Sequence, residues 1–211
     1  ERYRPSLTYC DISRDKGQTN AVNLGFSHAT GEIMAYLNTD DILLPGALHY
    51  VARFFFNHPN VDVVYGHRVV IDEHDEEIGR WLLPPHDNNV LLWADYIPQE
   101  TLFWRRRVWE KVGGAVDESF RFAMDWDLLL RFREAGAKFV RLSRFLGAFR
   151  VHPHQKTSAQ MEQVGNLEMD RLRKRSHGRP VSPNEVHRNL RRYLFRHVVY
   201  NKLWRLGVLR D

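Results

Sequence analysis

Apolar positions in the first third of the chain alternate between two spacings. Residues 7–10 (LTYC) form a short strand-like run. Residues 18–29 place Ala21, Val22, Gly25, Phe26 and Ala29 at helical spacing, closed by Gly31. Residues 32–38 (EIMAYLN) read as a buried strand. Residues 40–45 turn the chain, Pro45 suits the first position of a helix running to His58, and Pro59 closes that helix. Residues 61–66 are another apolar strand. This strand–helix–strand–helix–strand rhythm predicts an α/β domain with a mostly parallel central sheet. The Phe54-Phe55-Phe56 run falls in the second helix and is expected to pack in the core.

The pattern then changes. Two strand-like runs within residues 69–83 flank the acidic turn at residues 74–77, which predicts a hairpin. Residues 90–96 read as a short helix or turn, 101–105 as a strand, and 106–112 as a helix ended by Gly113-Gly114. An amphipathic helix is expected over 126–135, stopped by Gly136, followed by strands at 138–142 and 145–151. Beyond Pro153 the spacing is helical, with a break at 178–183. The expected division is a body over residues 1–155 and a helical region over 156–211.

The length of 211 residues suits one medium domain with a helical appendage. A content of 43% hydrophobic and 27% charged residues excludes a disordered or collagen-like chain. No apolar run is long enough to predict a membrane-spanning helix. Cys10 is the one cysteine, so no intrachain disulfide can form, which favours an intracellular setting. Charge is uneven: 18 basic and 21 acidic residues lie within 1–155, against 13 basic and 5 acidic in 156–211. A basic tail of this kind faces nucleic acid, anionic lipid or an acidic partner, or is a solvated helix.

Four segments carry candidate chemistry. Asn38-Thr39-Asp40-Asp41 follows a buried strand, where open α/β sheets place ligands. Its paired carboxylates can hold Mg²⁺ or Mn²⁺, or can cap the next helix and bond the turn. Asp125-Trp126-Asp127 opens a helix; one carboxylate can act as general base, or Asp125 caps and Asp127 pairs with Arg131. Lys16, Gln18 and their neighbours precede a helix and can meet a nucleotide, or form a solvated loop with a Thr19 or Asn20 cap. Around residues 149–157, His152 is a candidate metal ligand and Arg150 or Lys156 candidate phosphate contacts; a lone histidine is more often structural.

In order and spacing these segments resemble glycosyltransferase family 2, with the GT-A fold. The similarity spans residues 9–157 and rests on DKGQTNAVNLGFSHATGEIMAYLNTDD, LPGAL, VDVVYG, IPQETLFWRR, VGGAVDESF, AMDWDLLLRF and FRVHPHQKT. The resemblance implies a three-layer GT-A-like sandwich and a mostly inverting transfer of sugar from a nucleoside-diphosphate sugar to a hydroxyl acceptor. In the family an Asp-x-Asp-like motif binds metal and diphosphate. Here it reads Asn38-Thr39-Asp40, which makes Asp40 the implied metal ligand and Asn38 its neutral partner. Asp125 aligns with the catalytic aspartate, although Met124 stands where the family has an acid. Lys16, Gln18 and Lys156 are expected to help seat the nucleotide, and His152 to contact metal or diphosphate. Gln99, Glu100 and Trp126 fall on the acceptor side. The family's opening nucleobase-binding strand, and the second strand ending in acidic residues, have no counterpart here. A non-catalytic fragment is therefore one alternative expectation. Another is a basic module that contacts anionic membrane or nucleic acid through residues 171–175 and 188–205, nucleic acid being the weaker fit. The family also implies a saccharide or lipid-linked acceptor and a cytoplasmic location, peripheral at the membrane.

Overall fold

The computed structural model describes residues 4–12, 15–152 and 164–209. Six strands form one sheet: β1 (Ile33–Met34), β2 (Ile42–Leu43), β3 (Val63–Ile71), β4 (Glu77–Trp81), β5 (Phe103–Arg105) and β6 (Phe139–Arg150). The helices are α1 (Gln18–His28), α2 (Ala47–Asn57), α3 (Arg106–Lys111), α4 (Met124–Glu134), α5 (Asn166–His177) and α6 (Pro183–Arg205). The strand order is β1-β5-β3-β6-β2, with β4 paired to β3.

The expected mostly parallel sheet is not what these residues build. Only β3 and β6 pair in parallel; β1–β5, β5–β3, β3–β4 and β6–β2 are antiparallel. The cause lies in adjacency. β1 and β3 do point the same way, as a connecting helix requires, but β5 inserts between them and runs against both. The expected strand at residues 7–10 is irregular and largely exposed, with Tyr9 stacked on His28 at 3.7 Å. The two strands expected at 138–142 and 145–151 are one strand, whose register against β3 shifts between Tyr65 and Arg68. The hairpin is present: Asp72 Oδ1 accepts the backbone N–H groups of His74 and Glu76, each at 2.9 Å, and fixes its turn.

Alternation along β3 separates two apolar layers. Val63 and Tyr65 face a cluster that includes Phe26 of α1, Trp104 and the α4 residues Trp126, Leu129 and Phe132. Val64 faces Ala47, Val51 and Phe55 of α2. Helices thus cover both faces of the sheet. In α2 the buried residues recur every four positions, so Phe55 is 1% exposed and Phe56, one residue further round the helix, is 86% exposed. The triple-phenylalanine run is therefore only partly core. Helix α4 is buried on nearly every side; α5 packs on it through Arg173 and Arg175, and Leu172 of α5 and Tyr193 of α6 join the same cluster. The helical region thus shares its core with the body, and the boundary expected at 155/156 lies outside the described residues.

The arginines of the basic stretch at 171–175 are engaged by the body, although Arg171, Lys174 and Arg175 stay exposed. Arg175 donates to Asp127 at 2.5 Å, Arg173 donates to the Trp93 carbonyl and Asp170, and Arg171 lies over Phe120. Among the described residues, no helix is long and apolar enough to cross a membrane.

Where β6 shifts register, the backbones come close. A Cβ at Gly66 would lie 2.5 Å from the Arg144 carbonyl oxygen and from Leu146 Cγ. Gly66→Ala is expected to cost about 1–3 kcal/mol through this overpacking, read as a lowered Tm. An unchanged Tm would show that the shifted segment relaxes without strain.

Candidate active site

A cleft of about 1040 Å³ opens beyond the end of β1, bordered by α1, the residue 36–41 turn, the 95–100 segment and the start of α4. Of the expected site residues it gathers Gln18, Asn38, Asp40, Gln99, Glu100, Asp125 and Trp126. Lys16 is exposed on the preceding loop and does not border the cleft. Lys156 lies outside the described residues.

A chain of amides joins the cleft's walls. Gln18 Nε2 donates to Asn38 Oδ1 at 2.8 Å, and Asn38 Nδ2 donates to Gln99 Oε1 at 3.1 Å. Gln99 Nε2 in turn donates to the Tyr36 carbonyl at 2.7 Å. Asn38 is thus a hinge between α1 and the 99–101 turn, which a carboxylate lacking N–H donors could not be. Neither Asp40 nor Asp41 caps α2, whose N-cap is Gly46. Asp40 stays half-exposed, its Oδ2 3.3 Å from His152 Nε2. Asp41 turns inward and accepts the Arg150 backbone N–H at 3.1 Å. Arg150 does not face a ligand; it donates to the Asp40 and Asp72 carbonyls and to Asp75.

Among the described residues no group of three or more His, Cys, Asp or Glu side chains could hold a divalent cation. Asp40 borders the cleft, and His152, which does not line it, stands beside the Asp40 carboxylate. A Mg²⁺- or Mn²⁺-like ion commonly takes one or two carboxylates and fills its shell with phosphate and water oxygens, and Asp40 supplies one such carboxylate.

Burial raises the Asp41 carboxyl from 3.8 to about 6, and Glu100 and Asp40 push the same way. Between these values the folded chain holds a proton that the unfolded chain has released. Stability from this group is therefore present below pH 3.8 and lost as pH rises toward 6. His67 runs oppositely. Its buried Nδ1 accepts the Leu83 N–H at 3.1 Å, and burial lowers its pKa from 6.5 to about 4, so its contribution is lost as pH falls across that window. Asp41→Asn removes one of the two opposed effects. The stability of the variant relative to wild type is expected to grow with pH across this window, by about 1–3 kcal/mol in total. Denaturation series at several pH values check this, and a pH-independent difference would contradict it.

Asp125 borders the cleft in the first turn of α4, where its Oδ1 accepts the Trp126 backbone N–H at 2.9 Å. Asp127 is the structural member of the pair. It is fully buried and holds both Arg131 and Arg175. Thr19 is no cap either; its hydroxyl donates to the Phe120 carbonyl at 2.8 Å, fastening α1 beside Asp125. The Trp126 ring is fully buried, with its N–H on the Leu91 carbonyl at 2.8 Å. It supports the cleft from beneath and offers no face for stacking. Glu100 is likewise buried, both oxygens paired with Arg68 at 2.7 and 2.6 Å. Arg68, which borders the cleft, lies 4.4 Å from the Phe149 ring centre and 5.3 Å from that of Trp81.

Three cleft residues escaped the sequence reading. Arg68 carried a usable signal, being a cation within the otherwise apolar strand VVYGHRVVI. Tyr36 and Asp95 carried none. The surrounding protein and the Asp125 carboxylate raise the Asp95 carboxyl above its ordinary range. Asp95 keeps exposed surface, and that surface faces the cleft. Burial, with Asp125 and Asp95 beside it, also raises the Tyr36 phenol.

Comparison with known proteins places this geometry. The sequence model of glycosyl transferase family 2 matches residues 1–122. The chain is 30% identical over 123 residues to the O-antigen biosynthesis protein RfbC of Myxococcus xanthus, covering 58% of this chain and 10% of that protein. It is 30% identical over 148 residues to an uncharacterized glycosyltransferase of Nostoc sp., covering 65% and 45%. It is also 30% identical over 118 residues to a PGL/p-HBAD biosynthesis glycosyltransferase of Mycobacterium tuberculosis, covering 56% and 44%. The chain thus spans less than half the length of each of these relatives. In fold it resembles Staphylococcus aureus TarS 1–349 solved with UDP-GlcNAc, with a TM-score of 0.62 at 15% identity, covering 94% of this chain and 59% of that one. The UDP complex of the same protein gives 0.57 at 17% identity, covering 93% and 56%.

Proposed function

The chain belongs to glycosyl transferase family 2, and from that membership we propose that it transfers a sugar from a nucleoside-diphosphate donor to a hydroxyl acceptor with inversion. The observation that carries this reading is that Asp125 and Asp40 border one cleft, approached from different segments of the chain. A solved neighbour of the same fold was crystallised with UDP-GlcNAc, which supports a nucleotide-sugar donor. In the proposed step the acceptor oxygen attacks the anomeric carbon. The bond from that carbon to the diphosphate oxygen breaks, and its electron pair leaves with the nucleoside diphosphate. Asp125 takes the acceptor proton.

Asp40 and His152 would hold Mg²⁺ or Mn²⁺, which when bound would neutralise charge on the departing diphosphate. Gln18, through Asn38, fixes the α1 wall against the turn that carries Asp40. Arg68, held by both carboxylate oxygens of Glu100, borders the same cleft. The acceptor, a saccharide or a lipid-linked one, enters beside Asp125 and Asp95. The proposed reaction lies on the cytoplasmic side of a membrane, as the family resemblance implies.

Slow hydrolysis of the donor, with water as acceptor, tests this without knowing the acceptor. Proton NMR is expected to show the released sugar with its anomeric configuration inverted. Retention of configuration would overturn the single-displacement reading. Asp40→Ala is expected to abolish metal-stimulated donor binding while preserving Tm, since the Asp40 carboxylate is half-exposed. Stimulation by Mn²⁺ that survives in the variant would remove Asp40 from the metal role.

A further inference from the structure

Helix α6 carries two opposite faces at matched spacing. Leu190, Tyr193, His197, Tyr200 and Trp204 recur at intervals of three and four and turn inward. Leu190 and Tyr193 join the main core, His197 meets Trp81, Tyr200 lies under Arg141, and Trp204 packs on Phe145 and Arg80. The other face repeats the same intervals at Arg188, Arg191, Phe195, Val198 and Lys202, all exposed. Phe195 is 70% exposed and Val198 51%. Leu206, one further step along the stripe, is 75% exposed.

Charge on this face has one sign. After Glu185 the described chain has no acidic residue, while Arg188, Arg191, Arg192, Arg196, Lys202 and Arg205 are all exposed. Among the described residues none of these six cations forms an ion pair, in contrast to Arg173 and Arg175 of α5. The capping box of Ser182 and Glu185 starts the helix, so its exposed face is a formed surface.

We infer that this outward face of α6 docks on an anionic lipid bilayer. Cations alone would suit any polyanion. Here large apolar side chains stand among them on a single stripe, and a bilayer interface meets both, with headgroup phosphates for the arginines and acyl boundary for Phe195, Val198 and Leu206. The inner face of the same helix meets Trp81 and Tyr96, both of which border the cleft. Docking therefore sets the cleft beside the bilayer, within reach of a lipid-linked acceptor. The docking inference goes beyond the transferase reading and needs no donor. Its failure and the failure of that reading are separately visible.

Co-sedimentation with vesicles tests it. The chain is mixed with phosphatidylcholine vesicles, alone or with about 30% phosphatidylglycerol, at low and high salt. Binding is expected only with phosphatidylglycerol and is expected to weaken with salt. The triple variant Arg188→Gln, Arg191→Gln, Arg192→Gln should lose binding by on the order of 10²-fold, roughly fivefold per cation. Phe195→Ser should weaken binding roughly tenfold at either salt concentration. All four side chains are exposed, so thermal melts of both variants should match wild type. Absence of binding, equal binding to neutral vesicles, or indifference to both variants would overturn the inference. So would tighter binding to an RNA duplex than to anionic vesicles, left unchanged by Phe195→Ser.

Discussion

Asp125→Asn is expected to lower turnover by at least about 10²-fold while leaving nucleotide binding close to that of wild type. The asparagine side chain keeps the size of the original and can still accept the Trp126 N–H through its carbonyl oxygen. The start of α4 should therefore hold its shape, and Tm should not move. What is lost is the capacity to take a proton from the acceptor hydroxyl, so the effect belongs in kcat and not in donor affinity. Turnover within a fewfold of wild type would exclude Asp125 from the role.

The largest structural effect is expected at Glu100. Its side chain has no exposed surface, and both of its oxygens are taken by Arg68, whose own side chain is 13% exposed. Glu100→Ala leaves a guanidinium confined against Trp81 and Phe149 with no counter-charge. Breaking a buried pair from one side costs about 3–5 kcal/mol, a fall in Tm of roughly 6–20 °C for a chain of this size. Removing both partners should recover part of that loss, because the stranded charge goes with them. A double-mutant cycle measures the coupling. Additive single effects would show that Arg68 finds water in the cleft and needs no partner.

Periodicity revealed the elements more fully than their pairing. The helices at 18–28, 47–57 and 124–134 follow from apolar spacing with glycine or proline at the ends. The hairpin follows from its acidic turn. The direction of the sheet does not, because nothing in residues 101–105 says that this short strand slides between β1 and β3. Burial also rewrote the reading of the arginines. Local sequence cannot separate Arg173, which faces Trp126, from Arg188, which faces solvent. In the site, Asp40 and Asp125 were legible because helix starts and strand ends are where carboxylates gather around ligands. Their shared cleft was not, since it depends on packing across more than 80 residues of sequence. Trp126 and Glu100, assigned to the acceptor side by the family resemblance, are buried by the same packing, which makes each a support.

Calorimetric titration with UDP and with GDP, each with and without Mn²⁺, addresses the central claim most directly. Metal-dependent binding of one nucleotide, lost in Asp40→Ala and kept in Asp125→Asn, is the expected result. A folded chain that binds neither nucleotide under any condition would contradict the transferase reading of this cleft.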